Sequence, residues 1–239
     1  MFVLALDTTT RRGSVAVVRD GEIVDVYEGD PAIAHGQRLP GDLIRVLERQ
    51  QLSVHDVDLF AVAAGPGSFT GLRIGIAAMQ GFALASGKSL IGVSTLDALN
   101  HAFSSELPAP SSELPAFSSI ATWIDAQRHE VFAALYAENV AVEEPVADTP
   151  DAVLRRWNAR DRSQPILFVG DGASIYADLI HAACPEAIVN AGVLPLAPSI
   201  AVLAYAQAAR QAVTPPDAIR PLYVRRPDVE LVRDRKVAR

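Results

Sequence analysis

The chain has 239 residues, 50% hydrophobic and 21% charged, which suits one large domain or two small ones and excludes intrinsic disorder. No apolar run reaches the roughly 18 residues of a membrane-spanning helix, and a net charge of −7 disfavours unaided binding to a phosphate backbone. The lone cysteine, Cys184, excludes an internal disulfide and thiolate-based zinc structure.

Asp7 cuts the opening apolar run too early for a secretory leader, so the chain is expected to stay in the cytosol, with no membrane partner. Val3 to Leu6 and Ser14 to Val18 read as strands around a polar turn. Asp20 and Gly21 are a type I′ hairpin pair leading into a third strand, Glu22 to Tyr27. Gln37 to Gln50 places Leu39, Leu43, Val46 and Leu47 at helical spacing, with Pro40 expected in the first turn. Val57 to Ala63 is a buried strand running into a glycine-rich turn, Gly65 to Gly71, and a helix from Leu72 to Ser86. That helix is apolar almost all round, so it needs cover on two sides. Gly71, Gly75 and Ala78 would let another backbone come close. Leu90 to Val93 returns as a strand.

The hexapeptide Ser-Ser-Glu-Leu-Pro-Ala starts at Ser104 and again at Ser111, marking a tolerated loop insertion between two halves. Beyond it, Ile120 to Ile124, the turn Asp125 to His129 and the strand Val131 to Tyr136 repeat the opening pattern. Ile166 to Val169 leads through Gly170, Asp171 and Gly172 to a helix from Ala173 to Ala183, and Ser199 is expected to cap a helix to about Ala212. The tail after Leu222 carries six Arg and Lys against three acids and reads as a solvated terminus.

The Gly65 to Gly71 loop stands where a phosphate binder would sit, since a strand feeds a helix N-terminus there. It is neither a Walker A loop, lacking the Lys-Ser/Thr pair, nor a dinucleotide fingerprint, with Thr70 in the third glycine position. Ser68 lacks the flanking glycines of a nucleophile elbow. His35, His55, His101, His129 and His181 form no i, i+4 pair for a metal. Asp7 and Asp125, at matching strand ends, suit either turn formation or metal-phosphate work.

Asp7-Thr-Thr-Thr10, Gly65-Pro-Gly-Ser-Phe-Thr-Gly-Leu-Arg-Ile-Gly75, Gly92-Val-Ser-Thr-Leu96, Asp125-Ala126 with Glu130-Val-Phe132, Gly170-Asp-Gly172 and Pro221-Leu-Tyr-Val-Arg225 together resemble the TsaB family of bacterial tRNA threonylcarbamoyladenosine biosynthesis proteins. The resemblance spans both halves and implies an α/β fold of the actin, sugar kinase and Hsp70 (ASKHA) type, two lobes with mixed sheets flanked by helices. The expected division is an N-terminal lobe 1–102, a Ser/Pro-rich loop 103–118, a C-terminal lobe 119–225 whose final helix packs back on the first, and a basic tail 226–239.

What the resemblance implies is a non-catalytic subunit that binds a TsaD-type catalytic subunit and, with a TsaE-type ATPase, serves N6-threonylcarbamoylation of the adenosine next to the anticodon. Contact with tRNA is expected only within that complex. The metal-binding histidines of TsaD-like chains correspond here to Thr95 and Leu99, so no catalytic metal and no catalytic residue is expected. A homodimer of the isolated chain, ATP or ADP at the complex interface, and a nucleotide or phosphate in the lobe cleft lined by Asp7, Thr8, Thr9, Gly65, Gly67 and Asp125 are open possibilities. The expected partner surface is Leu39, Leu43, Leu47, Gly71, Leu72, Gly75, Ala78, Met79 and Phe82. The alternatives are a glycoprotease-like peptidase, disfavoured by the missing ligands and nucleophile, and an ASKHA phosphotransferase or ATPase, disfavoured by the absence of Lys or paired glycines after Asp7.

Overall fold

The computed structural model describes residues 1–106, 117, 119–158, 165–210 and 215–224, so most of the Ser/Pro-rich segment and the basic tail lie outside the described residues. The first strands, β1 (Phe2–Asp7), β2 (Ser14–Arg19) and β3 (Glu22–Glu28), form an antiparallel meander. Asp20 and Gly21 take φ of 52° and 90°, the left-handed pair that a two-residue hairpin turn requires. Strands β4 (Leu59–Gly65) and β5 (Ser89–Ser94) extend the sheet in parallel, giving the order β3-β2-β1-β4-β5.

Strand alternation divides the side chains of this sheet between two cores. Leu4, Leu6, Val15 and Val17 meet Leu39, Leu43, Val46 and Leu47 of α1 (His35–Arg49) and Ile76, Met79 and Ala83 of α2 (Phe69–Ser86). Val3, Ala5, Ala16 and Val18 face the other way, onto α3 (Thr95–Glu106) and α7 (Ala197–Ala209). Helix α7 is apolar all round because it is covered on more than one side; Ala197, Ile200, Ala201 and Ala204 are all buried.

Among the described residues the second sheet repeats the plan of the first. Strands β6 (Ser119–Asp125) and β7 (Val131–Ala137) are antiparallel, like β1 and β2. The short β8 (Val140–Ala141) and β9 (Val146–Asp148) pair with the far side of β7, and β10 (Ile166–Val169) and β11 (Ile188–Asn190) run parallel to β6. One face packs on α4 (Pro150–Asn158), α5 (Asp171–Ile175) and α6 (Ala177–Ala183) around an aromatic knot in which the Trp123 and Phe168 rings meet edge-on at 5.4 Å. The other face contributes Ile120, Ile124, Ala134, Leu167 and Val169 to the core that holds α3 and α7.

Several element boundaries differ from expectation. Helix α1 starts at His35, so Pro40 lies in the second turn; it removes one backbone donor there, and Gly36, four residues earlier, lies at the surface. Helix α2 starts at Phe69 because the Ser68 hydroxyl caps it, accepting from Gly71 N at 3.2 Å. The helix read from Ala173 to Ala183 is two helices broken at Tyr176. Ser199 lies inside the first turn of α7 rather than capping it, and its hydroxyl meets His101 Nδ1 at 3.0 Å.

Candidate functional site

A cleft of about 1230 Å³ opens between the two lobes. Its walls are the turn after β1, the loop and first turn of α2, the β6–β7 turn with Asp171, and a strap of residues 215–224 that returns to the first lobe. Backbone contacts hold the strap in place. Leu222 N donates to Ala64 O at 2.7 Å, and the Gln80 side chain donates to Pro216 O and Ile219 O at 2.8 and 3.1 Å.

The Asp7 carboxylate is buried and wholly engaged in its own turn. Oδ1 accepts from Thr9 N at 2.8 Å and from the Thr9 hydroxyl at 2.5 Å; Oδ2 accepts from the Thr10 hydroxyl at 2.8 Å. Burial raises the pKa of this group, and the three hydrogen bonds work against that rise. Thr8 faces away from the cleft, its hydroxyl donating to Gly71 O at 2.7 Å. Ser68 N donates to Thr9 O at 3.2 Å, and a Cβ at Gly67 would stand 2.6 Å from Thr9 Cβ, so the glycine-rich loop sits directly on the Asp7 turn. His35 supports the turn from the side. Its Nδ1 faces the Arg38 guanidinium, which can only donate, so Nε2 carries the proton and donates to Thr10 O at 3.0 Å. Burial and the Arg38 charge hold His35 below the usual histidine range.

Asp125 is also a turn brace, accepting from Gln127 N at 2.9 Å and from the Gln127 side-chain amide at 2.5 Å. Gln127, Arg128 and His129 follow in three consecutive left-handed conformations, φ 57° to 62°, an arrangement non-glycine residues rarely adopt. The Asp171 carboxylate accepts from Asp125 N and Gly172 N at 3.0 and 2.8 Å, and burial raises its pKa against those bonds.

The structure therefore brings Thr9, Gly67 and Asp125 to the cleft wall and leaves Asp7, Thr8 and Gly65 behind it. This corrects the phosphate-cleft expectation for those three. The Asp7 oxygens a metal-phosphate would need are taken by Thr9 and Thr10, and Ser68 itself holds the Gly71 N–H.

The expected partner surface is corrected in the same way. Leu39, Leu43, Leu47, Leu72 and Met79 are buried in this chain's own core. Gly71 and Gly75 face inward, and their missing side chains make room for the Thr8 carbonyl and hydroxyl. Ala78 and Phe82 are half-buried. The outer faces of α1 and α2 instead present Pro40, Ile44, Ala77, Gly81 and Leu84, with Ile44 52% and Leu84 59% exposed.

A residue group to which the sequence motifs assign no role stands at the cleft mouth. The Phe69 and Tyr223 rings meet at 5.7 Å with their planes tilted by 34°, and the Arg73 guanidinium lies 3.9 Å over the Phe69 ring. Thr95 and Leu99 are buried in α3, and among the described residues no three His, Cys, Asp or Glu side chains come together as a metal site. Among them, too, no helix is long and apolar enough to cross a membrane.

Comparison with known proteins places this architecture. Residues 30–238 match the family model of TsaD, tRNA N6-adenosine threonylcarbamoyltransferase. The chain belongs to this family, as a TsaB-type member. An uncharacterized protein of Mycobacterium tuberculosis is 31% identical over 95% of this chain and 93% of its own length. The tRNA threonylcarbamoyladenosine biosynthesis protein TsaB of Escherichia coli is 43% identical over 96 residues, 40% of this chain and 41% of that protein. YeaZ of Pseudomonas aeruginosa, YeaZ being TsaB, superposes with a TM-score of 0.75 at 28% identity, over 93% of this chain and 99% of that one. More distant structures of the ASKHA type share the fold alone. The duplicated sheet plan of this TsaB-type chain is that fold.

Proposed function

We propose that this chain is a non-catalytic subunit in the N6-threonylcarbamoylation of tRNA adenosine, acting by binding a TsaD-type catalytic subunit alongside a TsaE-type ATPase. The observation that carries the reading is the paired outer face of α1 and α2. Two neighbouring helices of a TsaB-type chain leave Pro40, Ile44, Ala77, Gly81 and Leu84 in water, small and apolar residues that suit close helix packing against a related chain. Buried Thr95 and Leu99 supply no pair of metal ligands, which supports assigning the chemistry to the partner.

The test is a strain depleted of its own TsaB, complemented with this chain, in which threonylcarbamoyladenosine in bulk tRNA is measured together with co-purification of TsaD. Restored modification and a co-purifying TsaD are expected, with no peptidase or ATPase turnover by the chain alone. Turnover by the isolated chain would favour an enzyme, and unrestored tRNA with no captured TsaD would overturn the reading.

A further inference from the structure

Phe69, Arg73 and Tyr223 belong to none of the hydrophobic cores. Phe69 is 54% exposed and Tyr223 48% exposed, a large aromatic area to leave in water at the mouth of a cleft. The cluster draws on two distant parts of the chain, the first turn of α2 and the end of the strap, 150 positions apart. Arg73 Nε approaches the Tyr223 hydroxyl at 3.4 Å, and among the described residues its two Nη groups meet no acceptor. A second guanidinium, Arg11, lines the same cleft. Asp125 and Asp171 stand in the same cleft, braced by the Gln127 side chain and by backbone N–H groups. Two guanidiniums, Arg73 and Arg11, thus share the cleft with exposed rings in a chain whose net charge is −7.

We propose that the Phe69–Tyr223 pair is a stacking platform for one unstacked base of single-stranded RNA, with the Arg73 Nη groups placed for the adjoining phosphate. Aromatic rings accept any base by its π-face, and a guanidinium beside them supplies the donors a phosphodiester needs. For a protein partner the chain carries a separate apolar surface, on the outer faces of α1 and α2. The platform rests on the tRNA reading above and adds the residues that would touch the nucleic acid; the net negative charge makes the contact weak until a partner adds its own cations.

The test uses Phe69→Trp, which keeps a stacking ring and reports base contact by quenched emission. The full chain, alone and in complex with its TsaD-type partner, is titrated with an anticodon stem-loop RNA, with a blunt duplex of the stem sequence, and with AMP. Quenching by the stem-loop alone is expected. Phe69→Ala, Phe69→Leu and Tyr223→Ala should each weaken stem-loop binding by about fivefold or more. Arg73→Ala should lower the slope of log affinity against log salt by about one. Circular dichroism and TsaD co-purification should be unchanged in all four, and Phe69→Leu keeps the apolar bulk should Phe69→Ala disturb α2.

Absent quenching in both the chain and the complex overturns the proposal. Equal quenching by the duplex would mean a surface contact without stacking, saturation by AMP at the same concentration a free-nucleotide site, and loss of TsaD with RNA binding intact a protein contact; each also overturns it. Failure of the platform with threonylcarbamoyladenosine still restored by the wild-type chain would leave the functional reading standing.

Discussion

Gly75 packs directly against Thr8: any Cβ at position 75 would collide with the Thr8 hydroxyl, which itself donates to Gly71 O at 2.7 Å. Gly71 and Gly75 therefore serve the chain's own interior, locking the helix onto the turn that follows the first strand. Gly75→Ala and Gly71→Ala should each destabilise the fold by about 1 to 3 kcal/mol, the usual cost of overpacking. Gly81→Ala, on the outer face with nothing within 4 Å, should be neutral or stabilising by a few tenths of a kcal/mol or more. Thermal melts of the three variants would show two downward shifts and none for Gly81; equal shifts would mean the inward packing is not what selects glycine.

Partner binding should follow the outer face of the helix pair. Ile44→Glu and Leu84→Glu place a charge on exposed positions, so both variants should fold as the wild type does and lose TsaD in a pull-down by about tenfold or more. Leu43→Glu, one position from Ile44 but buried, should fail to fold instead, because it leaves a charge unpaired in the core. Binding of TsaD by folded Ile44→Glu at wild-type affinity would move the interface off these helices.

Asp7→Ala should destabilise the chain strongly, since it strands the buried Thr9 N–H and Thr9 hydroxyl, each costing about 1 to 3 kcal/mol when unpaired, and also releases the half-buried Thr10 hydroxyl. A urea denaturation series would show the midpoint fall. An Asp7→Ala chain of wild-type stability with lost tRNA modification would assign the residue a chemical role instead.

Acidification should weaken the fold through its histidines. Burial holds His101 below the usual value of 6.5, and burial with the Arg38 charge does the same to His35. Such a group takes up a proton more readily once unfolded, so its stabilising contribution is full above about pH 6.5 and is lost as the pH falls through the folded value. Asp7 and Asp171, raised by burial, act in the opposite sense above their ordinary value of 3.8. His101→Gln isolates the first effect. Its melting temperature should fall less than that of the wild type between about pH 7 and about pH 5.

Strands were legible where alternation was strong. Asp20-Gly21 marked its hairpin, and the repeat of the opening pattern after Ile120 anticipated the duplicated sheet. The short pieces left little trace: β8 spans two residues and β9 three, too few for a period to register, and the helix α4, with Val153, Leu154 and Trp157 on one side, lies outside that repeat. At the site, the glycine loop was visible as a loop but its purpose was not. Small residues on a helix look the same in sequence whether the approaching backbone belongs to the chain itself or to another, and only the position of Thr8 decides it. The strap stood out in the sequence only through the Pro221-Leu-Tyr-Val-Arg225 motif and not as an attachment, because it is held through its own backbone groups, Leu222 N to Ala64 O and the Pro216 and Ile219 carbonyls to Gln80, which any residue type can offer.

Helix α7 comes from the C-terminal half of the chain, yet Ala197 N donates to Ser14 Oγ at 3.0 Å and its apolar faces fill the space behind the first sheet. Neither half owns a complete interior. Expressed separately, residues 1–106 would expose Val3, Ala5, Ala16 and Val18, and the remainder would carry a greasy helix with nothing to cover it. Mixed together, the two fragments should find each other and assemble without a covalent link, and the intact chain should melt in one calorimetric transition rather than two.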